Sequence, residues 1–157
     1  MKPHIGIPEK KLHASTDLLT IVLADQVTLY TKTRKFHWNV SGESFMELHK
    51  LFEQQYSLLE SFIDETAERI SKLGSKTVGT MAEFSKLTTL KEHPNKYPSS
   101  KDMLKELLDD HETVIISLRK HIDKCADKNH DAGTADFLTG LLVQHETIAW
   151  TLRRYLI

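Results

Sequence analysis

Nine histidines among 157 residues set the first chemical question of this chain. Imidazole and carboxylate together suit iron, manganese or zinc, provided that their spacing lets them converge. His49 and Glu53 stand four apart, and so do Asp64 and Glu68. On an α-helix these four side chains fall within an arc of about 100°, so they share one face. Along the helix axis, however, the two pairs are roughly 22 Å apart, too far to hold one ion. A second, antiparallel copy of the helix removes the difficulty. His49 then comes level with Glu68, and Glu53 with Asp64, about one centre between Leu58 and Leu59. A two-fold axis at that point generates two identical sites, each built from both chains, and closed two-fold dimers are the commonest oligomeric contact. A hairpin centred near Glu43 adds His37 at the height of His49. Two imidazoles of one chain then face two carboxylates of its partner, an oxygen-and-nitrogen shell for Fe(II) with room for peroxide or a second ion.

Four long helices are required to position these groups. After Pro8, Leu12, Leu19, Leu23, Val27 and Tyr30 form one face of a helix that runs to about Asn39, with Lys10, Lys11, Lys32 and Lys35 largely outside that face. Ser41-Gly42 makes a turn, and Ser44 followed by Glu47 reads as a capping box. The second helix continues to Leu73 and stops at Gly74. The segment from Ser75 to Lys91 is mixed, with one small helix over Met81 to Leu87. Such a crossover joins parallel neighbours, whereas a short loop would join antiparallel ones. Pro94 and Pro98 prevent helix there, and Ser99 with Asp102 offers a new start. The third helix, with Leu104, Leu107, Leu108, Ile115, Leu118 and Ile122, extends to about Lys128. After Gly133, Thr134 begins a fourth through Phe137, Leu141, Ile148, Leu152 and Tyr155. The expected fold is all-α: a four-helix bundle, with a short extra helix in the long crossover, forming a single domain over residues 1–157.

Composition agrees with this and excludes several classes. Six Gly and four Pro are too few for an all-β chain. A formal net charge of -1 argues against a domain-wide basic surface for nucleic acid. One cysteine, Cys125, excludes an internal disulfide framework and multi-thiolate zinc, and it is expected to be a small buried apolar residue. The opening MKPHIGIPEK lacks the apolar run of a signal peptide, and no stretch is long enough to span a membrane. The expected compartment is therefore the cytoplasm.

The stretch KTRKFHWNVSGESFMELHKLFEQQY, followed by IDETAERISKLG, resembles the Dps (DNA-binding protein from starved cells) mini-ferritins of the ferritin-like superfamily. The likeness extends over nearly the whole chain and includes TADFLT in the fourth helix. In the matching pattern the metal ligands and catalytic residues fall on His37, His49, Glu53, Asp64 and Glu68, with Trp38 beside the site. Glu53 stands where Asp is common. The resemblance implies a bacterial ferroxidase that oxidises Fe(II), preferably with hydrogen peroxide, and stores ferric mineral inside a dodecameric shell, with Zn(II) or Mn(II) as other occupants of the resting site. It also implies an iron-entry pore near Asp136, with Asp131 close by; helix-start acidity explains both equally well.

The remaining residues carry no such support. His111 and His145 each begin His-Glu-Thr but lack the second histidine of a zinc-protease motif; they are expected at the surface or between helices. His4, His13, His93, His121 and His130 are expected to be exposed, and Trp150 to lie in the core. The Glu-x-x-His spacing of larger ferritins is absent. An alternative function, protection by binding and compacting DNA, stays open. Its contacts would fall to Lys2, Lys10, Lys11, Arg153 and Arg154, too few for tight binding at physiological salt.

Overall fold

The computed structural model describes residues 3–157. Its helices are α1 (Glu9–Asn39), α2 (Phe45–Lys72), α3 (Met81–Leu87), α4 (Ser100–Asp123) and α5 (Ala132–Tyr155), and the described residues include no strand. A π-helical turn, Lys124–Asn129, prolongs α4. The expected helices are therefore all present.

The helix ends follow from local chemistry, with two departures from expectation. Pro8 precedes α1, where its missing N–H costs nothing, and its carbonyl accepts from Lys11 and Leu12. Ser44 does precede α2, but its side chain makes no cap bond. The Glu47 carboxylate instead accepts from the Tyr155 hydroxyl at 2.7 Å, tying the start of α2 to the end of α5. Gly74 ends α2 with φ 89°, and a Cβ there would meet the Pro3 ring at 2.6 Å, so glycine is needed twice over. Thr80 and Glu83 close a reciprocal box on α3. The second departure is at α5, which begins at Ala132 because Asp131, not Thr134, is its cap: Asp131 accepts from the Thr134 N–H at 3.0 Å.

α1 and α2 form one antiparallel hairpin, α4 and α5 another. Cross-contacts set the direction of the second hairpin. Lys32 reaches Glu106 and Asp110, whereas Ser15, near the other end of α1, accepts from Asn129. α4 therefore runs against α1 and parallel to α2, as the long crossover requires. Buried Asp25 pins that crossover, accepting from the Thr88 hydroxyl and from the N–H and hydroxyl of Thr89 at 2.6–2.9 Å.

The core is one continuous cluster spanning both hairpins. It draws on seams of side chains at three- and four-residue steps: Leu19, Val22 and Leu29 in α1, Phe52, Leu59 and Phe62 in α2, Leu107, Val114 and Leu118 in α4, Leu138, Leu141 and Ile148 in α5. Each such side chain contributes about 1.5–3 kcal/mol on burial. Cys125 is buried in this core, which pushes its thiol pKa up. Three expectations fail here. Lys32 lies inside, held by Glu106 (2.8 Å), Asp110 (2.5 Å) and the Lys91 carbonyl. His121 is buried, while Trp150 is 57% exposed. No helix among the described residues is long and apolar enough to cross a membrane.

Candidate functional site

His37 closes α1 and His49 opens α2, and the hairpin between them stacks the two rings, with centroids 3.7 Å apart and planes 20° from parallel. Their hydrogen bonds are reciprocal. His37 Nδ1–H donates to the His49 carbonyl at 2.8 Å, and His49 Nδ1–H donates to the His37 carbonyl at 2.9 Å. A carbonyl only accepts, so both protons must sit on Nδ1 when the rings are neutral. Both Nε2 atoms then carry bare lone pairs. This is the tautomer and orientation that a metal-ligating histidine needs, fixed by the group on its other nitrogen.

Aromatic side chains frame the pair. Phe45 packs on His49 with centroids 5.1 Å apart, and the edge of Tyr56 meets His37 at 5.2 Å. The guanidinium of Arg34 sits over the rings of Tyr56 (4.9 Å), Trp38 (5.2 Å) and Tyr30 (5.5 Å), and donates to the Tyr30 hydroxyl at 2.6 Å. Trp38, expected beside the site, is thus held one residue from His37 by a cation rather than buried in the core.

The carboxylates are elsewhere. Glu53, Asp64 and Glu68 lie exposed along α2. Glu68 accepts from Lys72 at 2.8 Å, and that bond lowers its pKa. Because α2 is unbroken from Phe45 to Lys72, Asp64 stays roughly 22 Å along the axis from His49. Among the described residues of one chain, no three His, Cys, Asp or Glu side chains gather closely enough to hold an ion.

A family model for the ferritin-like domain matches residues 16–157. The DNA protection during starvation protein 2 of Bacillus anthracis is 34% identical over 140 residues, which cover 89% of this chain and 94% of that protein. The chain belongs to the Dps family. An uncharacterized low temperature-induced protein of Nostoc is 44% identical to this Dps chain over 153 residues, covering 98% of it and 86% of the relative. The crystal structure of a Vibrio cholerae Dps protein, described as a member of a broad superfamily of ferritin-like diiron-carboxylate proteins, superposes with a TM-score of 0.93 at 27% identity, covering 99% and 97% of the two chains.

Of the two acidic residues considered for a pore in this Dps chain, Asp131 is buried and engaged within the chain. It is 1% exposed, and its carboxylate is used by the Thr134 N–H, the Thr134 hydroxyl (2.6 Å) and Arg69 (3.3 Å). Its acidity serves the helix start. Asp136, a turn later, is exposed.

Two arrangements go beyond what the sequence implied; of the two places expected for His111 and His145, surface or between helices, they take the second. His111 and His145 are completely buried, with their Nδ1 atoms 2.9 Å apart. Burial depresses both: His145 to about 4, and His111 well below the ordinary value, with His145 adding to the effect. The seam spacing from Leu107 to His111 to Val114, and from Leu141 to His145 to Ile148, is the signal that would have placed them inside. The Tyr30–Arg34–Tyr56 arrangement carried no comparable signal, because it depends on side chains from two helices. His4, His13, His93 and His130 are exposed or nearly so, as expected, and Lys2 lies outside the described residues.

Proposed function

We propose that this Dps chain is an iron-storing ferroxidase whose reaction site is shared between two copies. The observation that carries this reading is the reciprocal His37–His49 bonding, which leaves two Nε2 lone pairs held ready on one hairpin. An antiparallel α2 from a partner brings Asp64 and Glu68 to those imidazoles, with Glu53 completing the set. Nitrogen and carboxylate oxygen together suit Fe(II) and favour Fe(III) once formed. Zn(II) and Mn(II) fit the same donors and would compete.

The reaction balances with hydrogen peroxide as acceptor. Two Fe(II) ions each give one electron, the O–O bond breaks, and two protons complete two water molecules. Delivering both electrons together avoids hydroxyl radical, and that is how DNA and the rest of the cell would be protected. The chain's own residues bind and orient the substrate ion. Nδ1–H bonds fix the imidazoles, and Tyr56 and Phe45 limit their rotation. The ferric product would accumulate inside a dodecameric shell with these sites at its two-fold contacts.

Direct DNA binding has little support. Of the cations considered for such contacts, Arg153 is already paired with Glu112 at 2.7 Å, and Lys10, Lys11 and Arg154 remain. The deciding experiment adds Fe(II) and then peroxide to the purified protein, alongside His37→Ala and Asp64→Ala, and follows ferric absorbance. Rapid oxidation at about two Fe(II) per peroxide, lost in both variants, supports the proposal. Oxidation no faster than in buffer rejects it.

A further inference from the structure

Each long helix carries a buried seam, and near the middle of each seam stands a buried amide or imidazole side chain. Gln26 stands between Val22 and Leu29 in α1, and Gln55 between Phe52 and Leu59 in α2. His111 stands between Leu107 and Val114 in α4, and His145 between Leu141 and Ile148 in α5. All four are buried.

Cross-helix contacts place them in one layer. The pairs His37–His49 and Tyr30–Tyr56 register α1 against α2 and put Gln55 opposite Thr31. Lys32 with Glu106 and Asp110, and Ser15 with Asn129, register α1 against α4 and bring His111 to the same height. Phe62–His145, Arg69–Thr134 and Glu47–Tyr155 register α5 against α2 and set His145 at about the height of Leu59, hence of Val27 and Gln26. The four side chains therefore lie within about 8 Å of height.

Their hydrogen-bonding capacity is not met within the protein. Both amide atoms of Gln26, both of Gln55, and Nε2 of each histidine are buried without a partner. An Nδ1···Nδ1 contact of 2.9 Å between neutral rings requires one to donate to the other. One histidine then keeps an Nε2–H and the other a bare Nε2. The unmet set is balanced between donors and acceptors, and it carries no net charge.

We propose that this layer is an internal hydration site, in which ordered water links the two glutamine amides to the outer nitrogens of the imidazole pair. Water both donates and accepts, so it satisfies both halves of the set. With about three hydrogen bonds per buried water, six unmet atoms call for about two molecules. A metal dication fits less well. It would satisfy only the lone pairs, leave the amide N–H groups stranded, and enter an uncharged layer. The largely buried carboxylates near that height are already engaged, Asp110 in an ion pair with Lys32 and Asp25 by Thr88 and Thr89.

The test is a high-resolution crystal structure of the assembled protein, from crystals grown with chelator and from crystals soaked in Zn(II), the latter scanned at the zinc edge. Water within hydrogen-bond reach of both Nε2 atoms and both amides, in both crystals, is the expected result. A dry layer with the amides turned directly onto the imidazoles overturns the proposal, as does an anomalous zinc peak between the rings. Solid-state spectra of nitrogen-labelled histidine provide a second measurement. They should show one neutral ring protonated at Nδ1 and the other at Nε2, the latter exchanging magnetisation with water; two rings of the same tautomer would contradict the proposal. Neither measurement depends on iron oxidation, so this inference and the proposed function can fail separately.

Discussion

If each reaction site takes its imidazoles from one chain and its carboxylates from another, two inactive variants should rescue each other. His37→Ala breaks the imidazole half, and Asp64→Ala the carboxylate half. Shells of either variant alone have no intact site. In shells reassembled from equal amounts of both, chance pairing makes about half of the two-fold dimers mixed. Each mixed dimer joins the intact histidines of the Asp64→Ala chain to the intact carboxylates of the His37→Ala chain, and its other site is broken twice. Restored sites therefore amount to about one quarter of the wild-type number. The unbroken α2 excludes rescue within one chain, since its own Asp64 stays roughly 22 Å from His49 along the axis. The assay is the initial rate of ferric absorbance after peroxide, with chain mixing verified by mass spectrometry. Well-mixed shells no faster than their parents would refute the shared site.

Other perturbations probe other parts of the fold. His145 titrates at about 4 in the folded chain, against about 6.5 when unfolded. The unfolded state therefore takes up the proton first, and stability falls as pH drops below about 6.5, by about 2 kcal/mol at pH 5 and about 3 kcal/mol near pH 4; urea titrations of wild type and His145→Gln should show the variant losing less between pH 7 and 5. Lys32→Met strands Asp110 and Glu106 without their cation, and is expected to cost about 3 kcal/mol in urea unfolding at neutral pH. Asp131→Ala removes the α5 cap and an Arg69 partner, for an expected loss of about 1–2 kcal/mol in the same assay. Asp136→Asn should slow iron uptake by intact shells if that exposed carboxylate attracts the incoming cation, and unchanged uptake would remove it from the entry path. A gel-shift titration should show little complex with duplex DNA at physiological salt, and binding that strengthens steeply as salt is lowered.

The bundle was legible in the sequence because helix period, prolines and glycines are local signals. Met81–Leu87 and the stop at Gly74 both emerged at their expected places. The pairing of His37 with His49 was legible too, since the height of two residues across a hairpin depends only on where the turn falls. Burial of polar side chains was less so. Lys32 looked like a solvated charge because its partners, Glu106 and Asp110, arrive from a helix far along the chain. For His111 and His145 residue type leaves surface and interhelical positions both open, and only their places in the seams point inward. Trp150 erred in the opposite direction: an indole usually belongs inside, but its position on α5 turns away from the seam of Leu141, Ile148 and Leu152. Ser44 shows that a capping pattern need not close: its side chain makes no cap bond, and Glu47 accepts from Tyr155 instead.

The reciprocal bonds of His37 and His49 also bear on turnover. Each ring is anchored to a carbonyl of the opposite helix, so folding the α1–α2 hairpin finishes both donors before any ion arrives. In a structural zinc finger the ion organises the chain, and its departure undoes the fold. Here an ion that came as Fe(II) and left as Fe(III) would find the same surface at entry and at exit, with no segment to reorder between cycles. A store that processed many ions through few sites would need such indifference: on the proposed function, the hairpin would behave as a fixed die, through which successive ions pass without reshaping it.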